Sequence, residues 1–153
     1  MTPASPQRSE AIDLVAGTLL ARANRLTRLL MRSGAHELSR TEAGVLSTLL
    51  DGPRRITELA ATEALAQPTV TQLVDKLQGR GLVARTRAAD DGRVVLVEIS
   101  DRGREQLEAV RAVIRASMRE ALADLPDAEL TELVHASETL GGLIEKLQPG
   151  REA

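Results

Sequence analysis

Gln67, Thr69, Thr71, Gln72 and Lys76 stand close together in the run QPTVTQLVDKL. They offer amides, hydroxyls and one ammonium, the groups that exchange hydrogen bonds with base edges and meet phosphate oxygens. Interleaved with them, Val70, Leu73, Val74 and Leu77 recur at i, i+3, i+4 and i+7, the stripe of a half-buried helix. Pro68 suits the first turn of that helix, where its missing N–H has no partner to lose. Gly81 falls where a left-handed cap would end it. Downstream come Arg85, Arg87 and Arg93, the last beside Asp91 across a polar turn. This is chemistry for recognising a hydrogen-bonding polyanion, not for making bonds.

Nothing elsewhere supplies a reaction centre. His36 and His135 are distant in sequence and neither sits in a motif; His36 reads as a loop residue and His135 as a partly buried interface residue. Asp90 and Asp91 lie at a turn tip, where no cavity shapes their titration. P-loop, nucleophile-elbow and metal-ligand spacings are missing from the sequence, so no catalytic residue, metal or cofactor is expected. The chain has no cysteine, which excludes disulfides, thiolate zinc sites and thiol redox sensing. It also has no aromatic residue, so it offers no platform for stacking unpaired bases.

The elements that must position the polar run can be read around it. Thr57 is a candidate N-cap for a short preceding helix with Leu59, Ala60 and Ala64 on one face. The linker Glu63–Ala66 is short, and the second helix starts near Gln67. After Gly81, the β-rich runs Leu82–Thr86 and Val94–Ile99 flank a turn with Asp91-Gly92 at its far side, a hairpin signal. Helix, turn, helix and β wing form a device for laying one helix in a groove of double-stranded DNA.

The stretch resembles the MarR family of bacterial transcriptional regulators. The matching residues are the TVTQLVDKL helix, the GLV after it, Asp91 and Arg93 of the wing, and ISDRG at Ile99–Gly103. The resemblance implies a homodimer in which the helix enters the major groove and Arg93, steadied by Asp91, reaches into the minor groove. It implies DNA contacts from Gln67, Pro68, Thr69, Thr71, Gln72, Lys76, Arg85, Arg87, Asp91 and Arg93. Relatives often carry arginine where Gln72 and Gly92 stand and serine where Ala66 stands. Without arginine at position 72 a bidentate guanine reader is lost, worth roughly 1–3 kcal/mol of discrimination, and glutamine favours adenine. The resemblance implies a repressor more often than an activator, and in many relatives release by a small aromatic or anionic effector. Arg22 or Arg25 would hold the carboxylate of such a ligand.

The rest of the chain fits around this unit. With 153 residues, 42% of them hydrophobic, the chain has material for one core, built from Leu, Val, Ile and Ala. The net charge is −2, not that of a generic nucleic-acid binder. Between Gln67 and Arg104, however, seven Lys/Arg face five Asp/Glu. Residues 1–9 read as a flexible tail with no signal region, and no run is long enough to span a bilayer, so a cytoplasmic protein with no membrane partner is expected. Residues 10–33 read as a helix with Ile12, Val15, Leu19, Leu26 and Leu30 on one face. Arg22, Arg25, Arg28 and Arg32 lie opposite: a solvated face, a phosphate-facing edge, or a wall of an anion pocket.

Residues 38–100 form the winged unit, opened by a capping box at Ser39-Arg-Thr-Glu42. Its first helix carries Ala43, Leu46, Leu49 and Leu50 inward and stops at Gly52-Pro53, before Arg54 and Arg55. Residues 101–148 read as two further helices. The first, Asp101–Leu125 with Asp101 as N-cap, is a rod of about 36 Å, too long for the winged unit alone to cover. The second, Asp127–Leu147, is softened by Gly141 and Gly142. The fold class is therefore mainly α with a small β-hairpin wing: a winged helix-turn-helix domain plus N- and C-terminal dimerisation helices. A two-fold dimer predicts a pseudo-palindromic operator with half-sites one helical turn apart. The rival from another class is a winged helix used for protein contact without specific DNA binding. An acidic face on the reading helix would favour it, and the run from Gln67 to Lys76 is not acidic.

Overall fold

The computed structural model describes residues 6–32, 37–87 and 94–147. Two compact units divide the chain, Met1–Arg115 and Ala116–Ala153. The elements are α1 (Pro6–Arg32), α2 (Arg40–Thr48), a 3-10 turn (Leu49–Asp51), α3 (Ile56–Thr62), α4 (Gln67–Gly79), β1 (Val83–Arg87), β2 (Val95–Ile99), α5 (Asp101–Leu122) and α6 (Asp127–Leu147). A mainly α chain with one small antiparallel hairpin is what the periodicities predict. Helix α1 begins at Pro6, so residues Pro6 to Ser9 continue its first turns and are not tail.

Local chemistry sets the boundaries. The capping box at α2 forms as expected: the Glu42 amide donates to Ser39 Oγ (3.2 Å) and the Ser39 amide donates to Glu42 Oε2 (2.6 Å). Helix α3 starts earlier than its sequence suggests. Its N-cap is Arg55, whose amide donates to the Glu58 carboxylate at 2.8 Å, and Thr57 lies inside the first turn. It ends at Thr62, where the expected linker Glu63–Ala66 begins. Ala64 therefore sits beyond the helix, in the reversal, with φ of 52°, and the Leu65 amide closes the turn onto the Ala60 carbonyl at 3.0 Å.

The first unit's core is aliphatic. Val45, Leu46 and Leu49 meet Leu59 of α3 and Val70, Val74 and Leu77 of α4. Each such side chain taken from water contributes about 1.5–3 kcal/mol. Leu82, Val83, Val97 and Ile99 extend the core beneath the hairpin, and Leu107 and Val110 of α5 close it.

The strands run antiparallel from Val83↔Ile99 to Arg87↔Val95. Arg54 adds one rung on the far side of β2, giving and receiving backbone hydrogen bonds with Val97 (2.9 and 2.8 Å). Gly81 takes φ of 71° at the exit from α4, as its position requires. The N-cap of α5 is Ser100, one residue before the expected Asp101. Its Oγ accepts from the Gly103 amide (3.0 Å) and donates to the Gly81 carbonyl (2.7 Å). One hydroxyl thus joins the start of α5 to the end of α4. Helix α5 stops at Leu122, three residues before Leu125, and α6 runs through Gly141 and Gly142 as one helix.

Candidate nucleic-acid interface

Helix α4 has two faces. Val70, Val74 and Leu77 are fully buried against the core. Pro68, Thr69, Gln72, Asp75 and Lys76 are exposed on the other side, Gln67 is exposed at the helix start, and Thr71 is half-buried. The Thr71 hydroxyl donates to the Gln67 carbonyl at 3.0 Å, so only its lone pairs remain to face outward. The N-cap residue is Ala66, and no side chain caps the first turn. First-turn amides and the positive end of the helix dipole are thus left for an external acceptor.

Two ion-pair systems fasten α4 to its neighbours. Lys76 Nζ lies 3.0 Å and Arg80 Nη1 3.1 Å from Glu42 Oε1, and Arg80 Nη2 donates to the Glu37 carbonyl (2.8 Å). The Glu42 side chain is only 2% exposed, while that of Lys76 is 63% exposed. Burial by itself raises the Glu42 carboxyl; the Ser39 amide, the Lys76 ammonium and the Ser39 hydroxyl together outweigh it, leaving it below its ordinary 4.5. On the other flank, Arg85 of β1 donates to Asp75 Oδ1 and Gln78 Oε1, both at 2.6 Å. Its guanidinium ties the hairpin to α4.

Of the residues singled out in the sequence, Pro68, Thr69, Gln72 and Lys76 therefore share one exposed helix face, while Gln67 is exposed at the start of the first turn, on the side of Val70 and Val74. Arg85 is engaged inside the domain, and Arg87 is exposed at the end of β1. Asp91 and Arg93 lie outside the described residues, as does His36. Arg22 and Arg25 are exposed on α1. They are not part of the cleft of about 400 Å³ lined by Arg40, Thr41, Gly44, Glu63 and Leu65. His135, expected to be partly buried, is 74% exposed in the single chain, with Nδ1 3.6 Å from Glu138.

Sequence reasoning missed the second role of Glu42, which does more than cap α2, and the part played by Arg80. The available signal was the i, i+4 spacing of Lys76 and Arg80 at the end of α4. Their partner lies more than thirty residues earlier, beyond any local pattern. Among the described residues no cluster of acidic or histidine side chains is arranged to hold a metal, and no helix is long and apolar enough to cross a membrane.

Comparison with known proteins agrees with this geometry. The family described as transcriptional regulator SarA/Rot matches residues 32–110, just over half of the chain. An HTH-type transcriptional regulator of Mycobacterium bovis is 31% identical over 80% of this chain and 87% of its own length. Among solved structures, a MarR family protein from Bacillus stearothermophilus superposes with a TM-score of 0.69 at 23% identity, covering 93% of this chain and 99% of that one. The transcriptional repressor CouR bound to a 23-mer DNA duplex gives 0.63 at 25% identity, over 93% and 99%. The exposed polar helix, the hairpin beside it and these matches agree: the chain belongs to the SarA/Rot family of transcriptional regulators, with the winged-helix fold of a MarR family protein.

Proposed function

We propose that the chain is a homodimeric repressor that binds a pseudo-palindromic operator, with α4 in the major groove and the hairpin wing in the minor groove. The observation that carries this is the polar face of α4: Thr69 and Gln72 exposed opposite a fully buried apolar stripe, with Gln67 exposed at the helix start. In this reading Gln72 and its neighbours face base edges, Pro68 and Thr71 shape the approach of the first turn, and Arg87 meets the sugar–phosphate backbone. Arg93, steadied by Asp91, is the minor-groove residue. The likeness to CouR, solved on a DNA duplex, supports double-stranded DNA as the partner.

The dimer rests on unpartnered apolar surface. Helix α6 has no buried residue, and Leu133, Val134, Leu143, Ile144 and Leu147 are 40–72% exposed. Ile12, Leu14, Val15 and Leu20 of α1 are equally uncovered. Apolar stripes of this length mark an association surface. Release by a small aromatic or anionic ligand belongs to the same reading, with Arg22 and Arg25 offering exposed guanidiniums.

Selection from randomised duplex DNA tests the proposal. The expected product is an inverted repeat with half-sites about 10 base pairs apart, centre to centre. An unenriched pool, or an enriched site without two-fold symmetry, contradicts it.

A further inference from the structure

We propose that Glu42 sets the sequence discrimination of the reading helix by holding Lys76 and Arg80 against α2 and away from phosphate. The inference rests on α4 being the DNA-reading element. Glu42 is on α2 and is 2% exposed, so it has no surface with which to touch DNA. All its action is through others. Oε2 accepts from the Ser39 amide, and Oε1 takes both Lys76 Nζ and Arg80 Nη1. Lys76 lies in the last turn of α4 and Arg80 is its C-cap residue, so a single carboxylate grips the end of the helix at two points one turn apart and fixes its rotation about its own axis. That rotation decides which of Gln67, Thr69 and Gln72 meet a base edge.

The second consequence is in charge. Lys76 is exposed enough to reach phosphate, yet its ammonium lies 3.0 Å from a buried carboxylate. A lysine on phosphate raises affinity for every sequence, whereas one held by a carboxylate does not. Glu42 thus orients the sequence-dependent contacts and withholds a sequence-independent one. It is a positioning residue, and discrimination is its output.

The test uses the full chain, its E42Q and K76M variants, an operator duplex selected by the wild type, and a scrambled duplex of equal length, all titrated by anisotropy across salt. Glutamine keeps the size of the side chain and still accepts from Ser39, but carries no charge. E42Q is expected to lose about tenfold or more on the operator, to bind scrambled DNA more tightly, and to steepen the salt slope by about 0.9. K76M is expected to leave the wild-type slope unchanged and, combined with E42Q, to remove the added slope. A merely structural Glu42 lowers both affinities in step with the folded fraction seen by circular dichroism, with the slope unchanged; that result overturns the proposal. Should E42Q fail to fold, K76M alone decides, because a slope smaller by about 0.9 would place Lys76 on phosphate already and overturn it. A wild type without sequence preference overturns the proposed function, and this inference with it. Wild-type preference with undiminished E42Q discrimination overturns the Glu42 assignment alone.

Discussion

At position 103 there is no room for a methyl group. A Cβ there would overlap the Leu82 carbonyl oxygen, which is backbone and cannot swing aside, and would also press on Ile99. Gly103→Ala is therefore expected to lower stability by about 3 kcal/mol, read as a shifted denaturation midpoint with an unchanged slope; a loss near zero would mean that α5 slides freely on the hairpin. Glu42 makes a different prediction, in pH. Its carboxyl is more acidic folded than unfolded, despite burial, because Ser39 and Lys76 favour the charged form. A group with a depressed folded pKa stabilises above its unfolded value and loses that contribution as the pH falls through the folded one. The stability gap between wild type and E42Q should be full above pH 4.5, the ordinary value, and shrink on acidification below it. Near neutrality the gap should be about 2 kcal/mol, since the buried carboxylate has charged partners. A gap constant from pH 7 to pH 3 would contradict the ion-pair account.

At the scale of elements, Arg85 shows why charge alone misleads. From the sequence it reads as a DNA contact, along with Arg87 and Arg93. Folded, both guanidinium ends are used on Asp75 and Gln78 of α4. Arg85→Ala is expected to cost about 1 kcal/mol of stability, the pair being partly exposed, and to leave the salt slope of DNA binding unchanged. A slope smaller by about 0.9 would show that Arg85 meets phosphate after all. The helices and hairpin were legible because they follow local rules: the stripe from Val70 to Leu77, the capping box at Ser39, Pro68, Gly81, and β-branched runs around a polar turn. Boundaries set by a single hydrogen bond were less so. Arg55 caps α3 through its backbone, and Ser100 displaces Asp101 because its hydroxyl also bonds Gly81. Ala64 was read into α3, since alanine favours helix and nothing local announces a positive φ. Of the candidate site, the exposed face of α4 was readable from spacing. The pairings of Glu42 and Arg85 bridge segments distant in sequence and follow from the fold alone.

The whole molecule carries net charge −2, and the stretch from Gln67 to Arg104 has a local excess of only two cations, so long-range attraction to DNA is weak and orientation carries more of the specificity. In the proposed homodimer, two-fold symmetry doubles the contact. Leu133→Asp with Ile144→Asp, both on exposed α6 surface, should convert the chain to a monomer by sedimentation. Operator affinity should fall by about 100-fold or more as the second half-site is lost. A dimer that survives both changes would move the interface away from α6.

Sequence-dependent binding to duplex DNA is read by anisotropy titration of the full chain. The DNA is the segment upstream of its own gene beside a scrambled duplex, each measured at several salt concentrations. The account predicts tight binding to the first, weak binding to the second, and log K falling linearly with log salt by about 0.9 per phosphate contact. Equal affinity for both duplexes, or none for either followed by an unenriched selection, would contradict it and leave the winged helix as a protein-contact module.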